Sequence, residues 1–450
     1  MAVRNAVVVV IDTLRPDHLG CHGYPLPTSP HIDAFAEGAV VFDQAIAPAI
    51  PTMPSFTTLL TGLHPYRHGI VSHIPRRTRL AEEIETFPQL ARRAGRVTVG
   101  IDNLVVQGMG RGDWFARGFD HYSGYLYKPF AAQSAELVDR AIQYIDDLGE
   151  RPFLLFLHLW DPHTPYGPPP PYDSLHYRPG SAPYDLAEVK AIQPEYYERF
   201  LGEMRLRHPD DYADVVAQYD GEITRVDEQV GRLLAHLEAK GRFDDTAVAV
   251  MSDHGECFGE GGIHFDHHGL VDATVRVAWM LRAPGSRPGR VAEMVSTEDL
   301  LPTLAALCDW PLPEGDRAQG NDLSPALHGS PVPGRSEMFC VESTRQASLA
   351  LRTPDWKLIL PITRDVHGNP LPDLHGHPRS SEPLLHDLRS DDKESVDVGE
   401  RHPEVRERLL RRLSEWRAAE VARRGGHDPV LESGLSLGYE AFMARMRSRA

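Results

Sequence analysis

Short apolar runs alternate along the chain with longer segments of helical periodicity. Residues 6–11, 153–159 and 246–251 are rich in Val, Ile, Leu, Ala and Phe, and runs of this length and composition are typical of strands buried on both faces. Residues 212–239 instead repeat apolar side chains at helical spacing. This alternation predicts an α/β fold, in which helices sandwich a mostly parallel sheet.

The last quarter of the chain has a different pattern. A Pro- and Gly-rich break covers residues 329–334. Two strand-like segments and an amphipathic helix follow, at residues 347–352, 356–360 and 403–422. We therefore expect a large domain over residues 1–330 and a smaller α+β domain, with a small antiparallel sheet, a helix and a tail, over residues 331–450. Pro-rich residues 162–171 are interpreted as an ordered surface insertion.

Composition narrows the classes of function. Lys plus Arg is 47 and Asp plus Glu is 64, so the formal net charge of the 450-residue chain is −17. This balance argues against a nucleic-acid-binding protein, because phosphate backbones require clustered cationic side chains. It leaves an anionic small molecule open as substrate, since a bound metal ion can reverse the local potential.

The N-terminal apolar run and the cysteines indicate where in the cell the protein is expected. Residues 6–11 are too short to cross a membrane and lack the pattern of a cleaved signal peptide. The four cysteines are far apart and form no CxxC pair, so we expect free thiols. We therefore expect a cytoplasmic protein with no membrane partner.

Polar residues follow two of the predicted strands. Asp12 comes directly after residues 6–11, and Asp253 with His254 comes after residues 246–251. In parallel sheets, ligands bind beyond the carboxyl ends of the strands. Each motif alone is also ordinary turn or helix-capping chemistry. Together they make a plausible oxygen-rich metal site.

Further candidate groups lie elsewhere in the chain. Thr52 stands two residues before Pro54, so its hydroxyl either caps a helix or lies at the positive helix end where anions bind. Either His163, which follows residues 153–159, or His158, near their end, could enter the same crevice, although a lone His beside prolines is more often a loop residue. His264, His267 and His268 form a cluster that is either a metal or anion site or a pH-sensitive surface loop.

In their order along the chain, these motifs resemble the sulfatase family of the alkaline phosphatase superfamily. The resemblance covers nearly the whole chain and is carried by residues 11–24, 28–33, 54–62, 65–69, 161–166, 246–256, 299–304, 356–357 and 385–388. It implies a metal ion held by Asp12, Asp253, His254 and the nucleophile at position 52. It also implies that His163 contacts the ester anion. His268 falls where the family often has a Lys or His that serves the substrate or leaving group.

The chain departs from the family at the nucleophile. Sulfatases have Cys or Ser followed by x-Pro-x-Arg and oxidise that first residue to formylglycine. Here the nucleophile position is Thr52 and the Arg position is Phe56, while Leu63 stands where many sulfatases have Arg or Lys. Because the Cβ of Thr bears a methyl group, Thr52 has no accessible route to the aldehyde.

These differences favour a metal-dependent hydrolase that cleaves a phosphoester, such as a phosphodiester or phosphonate monoester, through Thr52. One alternative is a sulfuric ester hydrolase that works without formylglycine. A second alternative, from another class, is a catalytically inactive binding protein on the same fold. The retained residues Asp12, Asp253 and His254 argue against inactivity.

The expected cofactor is one divalent metal ion: Mn, Zn, Ca or Mg. A second metal is left open, with His163, His264, His267, His268 and Asp161 as candidate ligands. His268 is the predicted general acid, and His163 the predicted stabiliser of transferred charge. The expected partner is a small anionic ester, and a homo-oligomer is left open. Residues 103–127 and 162–183 are expected to line the pocket, and residues 431–450 to dock on the chain or on a second copy.

Overall fold

The structure is a computed structural model that describes residues 3–73, 78–105, 112–126, 134–204, 206–312, 319–433 and 435–436. In chain order, its strands β1 to β15 are Asn5–Ile11, Val40–Ile46, Val97–Val105, His121–Leu126, Phe153–Leu159, Thr246–Ser252, Cys257–Phe258, His264–Asp266, Arg276–Val277, Trp279–Arg282, Gly289–Ser296, Met338–Ser343, Ala347–Arg352, Trp356–Pro361 and Leu384–Asp387. Its α-helices, α1 to α13, are Pro30–Glu37, Thr52–Thr61, Pro65–His68, Phe87–Arg93, Gly112–Phe115, Ser134–Leu148, Leu186–Ile192, Pro194–Glu203, Tyr212–Ala239, Asp272–Val275, Leu300–Cys308, Pro403–Arg423 and Pro429–Ser433.

A mostly parallel sheet forms the centre of the molecule. Among the described residues it has nine strands in the order β11-β2-β10-β6-β1-β5-β3-β4, with β9 paired to β2. Strand β1 lies at the middle and pairs in parallel with β5 and β6. Only β9 and β10 run antiparallel to their neighbours in this part of the chain. The predicted α/β fold is confirmed.

The uninterrupted apolar run of β1 is explained by burial on both faces of the sheet. Val7 and Val9 belong to a core on one face, together with apolar residues of α1, α6 and α9. Val8 and Val10 belong to the opposite core, with residues of α2, α4 and α11. Side chains alternate between the faces of a strand, so both sets must be apolar when helices cover both faces.

Several predicted elements coincide with the structure, and one does not. The helix predicted over residues 212–239 is α9. Residues 275–281 form an apolar run that by itself predicts one strand, but the run is broken: α10 ends at Val275, and β9 and β10 follow with Ala278 between them. Here β9 and β10 both pair with β2, at different points along it, so one apolar run serves two short strands.

The smaller domain contains an antiparallel sheet, β12-β13-β14-β15, covered by α12. It is joined to the large domain beside α2. Ala49 forms a parallel bridge with Val341 of β12, and the Val341 N–H donates to the Pro48 carbonyl over 3.0 Å. The domain boundary at residue 330 stays a prediction.

Other sequence expectations concern the surface. The insertion after β5 contains two helices, α7 and α8, in addition to its Pro-rich loop. No helix in the described part of the chain combines the length and apolar character needed to cross a membrane. Residues 106–111, 127–133 and 437–450, which include parts of the predicted pocket wall and docking tail, lie outside the described residues.

Candidate active site

The register of the central strands brings the two predicted carboxylates together. Ile11 of β1 pairs with Ser252 of β6, so Asp12 and Asp253 leave the same edge of the sheet side by side. Both are fully buried, as is His254. Asp12, Asp253 and His254 each offer a ligand atom, and these atoms all lie within 4.8 Å of one another.

Thr52 lies at this cluster. Helix α2 begins at Thr52, and the threonine Oγ1 is 3.2 Å from His254 Nε2. The N-cap is Pro51, and Thr52 makes no capping hydrogen bond, so the capping interpretation of Thr52 is wrong. The Ser55 hydroxyl, one helical turn on, donates to the carbonyl of Asp253 over 2.6 Å and ties the start of α2 to the end of β6.

The donor atoms fit a divalent cation. Asp12 Oδ1 and Asp253 Oδ2 are buried and accept no hydrogen bond from any described residue. Each faces His254 Nε2, at 3.6 and 3.4 Å respectively. Two uncompensated carboxylate oxygens, an imidazole nitrogen and a hydroxyl are costly to bury together unless a cation neutralises them. The residues present therefore suit a metal such as Mn, Zn, Mg or Ca.

The two carboxyls differ in acidity. Burial by itself would raise the pKa of Asp12, but the hydrogen bond with His158 and the charges of His163 and His254 bring that pKa well below its ordinary value. Burial and the neighbouring charge of Asp12 raise the pKa of Asp253 to about 6. A bound cation would favour the ionised form of both groups.

His158, which the sequence offers beside His163 as a candidate for the crevice, lies behind Asp12. His158, in β5, places Nε2 3.2 Å from Asp12 Oδ2 and Nδ1 2.7 Å from Asp102 Oδ1. Burial lowers the pKa of His158, but the hydrogen bonds with Asp102 and Asp12 raise it to about 9. The ring of Phe56, which occupies the position of the family's Arg, packs edge-on against His158 at 4.6 Å between centroids.

The partly exposed wall of the site is aromatic and histidine-rich. His163 stacks on Trp160 with ring centroids 3.8 Å apart. The ring of His267 is 4.7 Å from that of His163 and 4.9 Å from that of His254. Thus, of the three clustered histidines, His267 is the one that reaches the candidate metal ligands, and the sequence analysis gave it no catalytic role.

The pKa values of His163 and His267 are shifted in opposite directions. Burial lowers the pKa of His163 to about 3, although Asp12 opposes the shift. Burial would also lower the pKa of His267, but the carboxylate of Glu256, whose Oε1 lies 3.9 Å from His267 Nδ1, raises it to about 9. His267 is therefore the cationic group of this pair at neutral pH.

The described contacts of His268 and His264 are with residues other than Thr52. His268 is buried, its Nε2 faces Asp266 Oδ1 at 3.7 Å, and its predicted catalytic role stays a prediction. His264 Nδ1 instead contacts the hydroxyl of Tyr212 at 2.9 Å.

Asp266, His267 and His268 form a second group with metal-ligand spacing among the described residues. Asp266 Oδ2 already accepts hydrogen bonds from Tyr196 and Arg345, at 2.7 and 2.9 Å. Because a guanidinium beside the carboxylate repels a cation, this group is the weaker candidate for a metal.

Three aromatic residues lie in the segment expected to line the pocket, residues 103–127, and each has a described contact elsewhere. Trp114 and Phe115 are buried in the core beneath α2, and the Trp114 indole donates to the Thr57 hydroxyl over 3.0 Å. Tyr122 donates to Asp102 Oδ2 over 2.6 Å and so belongs to the network behind Asp12.

Comparison with known proteins identifies the family. The family model described as Sulfatase matches residues 4–310. The sequence is 27% identical to human arylsulfatase A, over an alignment that covers 95% of this chain and 92% of that protein. It is 26% identical to the ulvan-active sulfatase of Formosa agariphila over 71% of the chain, and this chain spans only 64% of that relative's length.

The fold is shared with solved structures. The phosphonate monoester hydrolase of Agrobacterium radiobacter superposes with a TM-score of 0.73, covering 93% of this chain and 96% of that one, at 21% identity. The similarity spans both the large domain and the smaller one. The chain belongs to the sulfatase family of the alkaline phosphatase superfamily and is an ester hydrolase.

Proposed function

We propose that this protein is a metal-dependent phosphoester hydrolase that uses Thr52 as its nucleophile, with a phosphodiester or phosphonate monoester as substrate. The observation that carries the proposal is the position of the Thr52 hydroxyl, 3.2 Å from His254 Nε2 and beside the unpartnered oxygens of Asp12 and Asp253. A secondary hydroxyl at a cluster of metal-ligand atoms has no need of formylglycine to become nucleophilic.

The metal ion, held by Asp12, Asp253, His254 and Thr52, would supply Lewis acidity that lowers the pKa of the hydroxyl and neutralises the ester anion. Thr52 Oγ1 gives its proton to solvent and forms a bond to phosphorus as the bond to the leaving oxygen breaks. In a second step, water attacks phosphorus, the bond between phosphorus and Oγ1 breaks, and a proton from this water restores the threonine hydroxyl. The buried start of α2 holds Oγ1 in place for both steps.

The second step, cleavage of the threonine ester by water, is the reason to favour a phosphorus ester over a sulfate ester as substrate. A formylglycine hydrate releases sulfate by re-forming its aldehyde, so the sulfur centre need not be attacked again. A threonine ester has no such route, because its Cβ bears a methyl and a hydrogen. It must be cleaved by attack at the central atom, which phosphorus accepts readily.

The leaving oxygen requires a proton. The sequence predicts His268 as donor, but the site geometry favours His267. The His267 ring lies 4.9 Å from that of His254, within reach of a group bound at the metal, whereas His268 Nε2 is directed to Asp266. His163, stacked on Trp160, is placed to hold the ester oxygens.

A sulfuric ester hydrolase that works without formylglycine is the second candidate function. It is supported by the family itself and by the sulfatase relatives. Assays of nitrophenyl sulfate, phosphate, phosphodiester and phosphonate esters with the metal-loaded protein separate the two. Sulfate turnover above that of all the phosphorus esters would overturn the proposal, and absence of both metal and turnover would favour an inactive binding protein.

Thr52→Val tests the nucleophile, because valine keeps the shape of threonine and removes only the hydroxyl. We expect kcat to fall by roughly 10³-fold or more, and mass spectrometry of quenched wild-type reactions to find a phosphorus adduct on the peptide containing Thr52. Thr61→Val is the matched control, since Thr61 is buried in the same helix and its hydroxyl bonds only within α2 and the loop that follows. Unchanged turnover in Thr52→Val would exclude Thr52 as nucleophile.

A further inference from the structure

A continuous hydrogen-bonded chain of side chains runs from β4 to Asp12. The Tyr122 hydroxyl donates to Asp102 Oδ2 over 2.6 Å, and Asp102 Oδ1 faces His158 Nδ1 at 2.7 Å. His158 Nε2 then faces Asp12 Oδ2 at 3.2 Å. Tyr122, Asp102 and His158 lie in β4, β3 and β5, and Asp12 directly follows β1. These four strands are neighbours in the sheet, so strand pairing sets the distances between the four side chains.

The chain leaves the two oxygens of Asp12 in different surroundings. Oδ2 is engaged by His158, whereas Oδ1 has no hydrogen-bond partner among the described residues and faces His254 Nε2 at 3.6 Å. Rotation of the carboxylate would break the contact with His158. The network therefore fixes the orientation of the Asp12 carboxylate, with one oxygen at His158 and the other directed toward the other candidate ligands.

His158 has little freedom to move. Its side chain is fully buried, and both ring nitrogens face carboxylates. The Phe56 ring packs edge-on against it, and Phe56 is itself held in the core against Phe115 and Phe156. A ring fixed at both nitrogens and against an aromatic neighbour holds its orientation without further contacts.

We propose that His158, held by Asp102, is a positioning residue that orients Asp12 for metal binding. This rests on the proposed function, because it requires Asp12 to be a metal ligand. Partners behind a metal ligand orient it and typically change metal affinity by 10–100-fold when removed.

Three variants of His158 test the proposal by metal affinity. The Gln side chain places its amide N–H₂ near the position of the histidine Nε2, and that of Asn places it near Nδ1. We expect His158→Asn and His158→Leu to weaken Mn²⁺ or Zn²⁺ binding to the metal-stripped protein by 10–100-fold in equilibrium dialysis. His158→Gln should stay within a few-fold of wild type, because it keeps a donor for Asp12.

A matched control separates positioning from stability. His18 Nδ1 also faces a buried carboxylate, Asp220 Oδ1, at 2.7 Å, but His18 touches no candidate ligand. His18→Leu, the counterpart of His158→Leu, removes this contact and should lower the melting temperature while leaving metal affinity unchanged. A folded His158→Asn with wild-type affinity, or equal losses in the Gln and Asn variants, would overturn the positioning role.

Asp12→Asn distinguishes the two proposals. If Asp12→Asn binds metal as wild type does, the metal site of the proposed function is wrong. If Asp12→Asn loses affinity while the folded His158 variants do not, the metal site stands and the positioning role fails.

Discussion

Histidines, rather than lysine or arginine, surround the position where the ester anion would bind. His163 and His267 form the partly exposed wall, and His158 lies behind Asp12. The positions where the family has Arg in the nucleophile motif, and often Arg or Lys after it, hold Phe56 and Leu63, which are both buried. Charge compensation for a dianionic transition state therefore depends on the metal ligands and on these imidazoles.

His267→Gln should slow substrates according to the basicity of their leaving group. A general acid contributes most when the departing oxygen is strongly basic, so we expect a loss of roughly 10²-fold or more with alkyl esters and a small effect with nitrophenyl esters. Steady-state kinetics over a series of leaving groups measures this. The comparison variant is His268→Gln; if it, and not His267→Gln, shows the leaving-group dependence, His268 is the acid.

The choice between His267 and His268 illustrates a limit of sequence reasoning. The two are adjacent, and the left-handed backbone of Phe265, with φ 55°, interrupts the alternation that would assign them to opposite faces of a strand. Which histidine enters the crevice depends on this local turn, and a non-glycine residue in that conformation has no clear sequence signal.

At the level of elements, the strand ends could be predicted, but the strand order could not. Asp12 and Asp253 follow apolar runs, and the rule for parallel sheets brought them together. Asp102 meets His158 only because β3 pairs with β5, with Ile101 opposite Leu157. Nothing within either strand encodes that neighbour, so the network behind Asp12 became visible only in the fold.

The turn at Thr297–Asp299, between β11 and α11, contains a carboxyl with unusual acidity. Burial raises the pKa of Glu298 to about 7, although Arg335, 3.8 Å away, opposes the shift. Since the unfolded chain titrates near 4.5, the folded protein binds this proton more tightly. Glu298 therefore contributes stability below pH 4.5 and loses that contribution as the pH rises through 7.

Glu298→Gln stays neutral and should lack this pH dependence. We expect the free energy of unfolding of wild type, relative to the variant, to fall by about 3 kcal/mol between pH 4.5 and pH 8. Urea unfolding across this range provides the measurement, with Glu407→Gln, exposed on α12, as the control. A constant difference between wild type and Glu298→Gln would contradict the assignment.

At the scale of the whole molecule, a buried ionic cluster joins the two domains. Lys357 of β14 is fully buried and contacts Asp272 at the start of α10, at 2.5 Å, and Glu394, at 2.9 Å. Arg352 of β13 also contacts Asp272, at 2.9 Å. Removing one cation would leave a buried carboxylate without full compensation, which is costlier than losing an exposed pair.

Lys357→Met should therefore destabilise the protein by about 3–5 kcal/mol, measured by urea unfolding at neutral pH. Arg389→Met breaks the exposed pair with Asp387 on the neighbouring strand and should cost less than about 1 kcal/mol. Similar losses in the two variants would show that the buried cluster adds nothing beyond a surface contact.

The bridge between Ala49 and Val341 limits how far this enzyme can be shortened. A fragment ending at residue 330 would keep Thr52 and all the candidate metal ligands. It would lose the strand whose backbone accepts from Ile50 and donates to Pro48, directly ahead of Thr52. The reactive centre is thus not modular: its chemistry is encoded in the first three-quarters of the chain, but its geometry is completed by the last quarter.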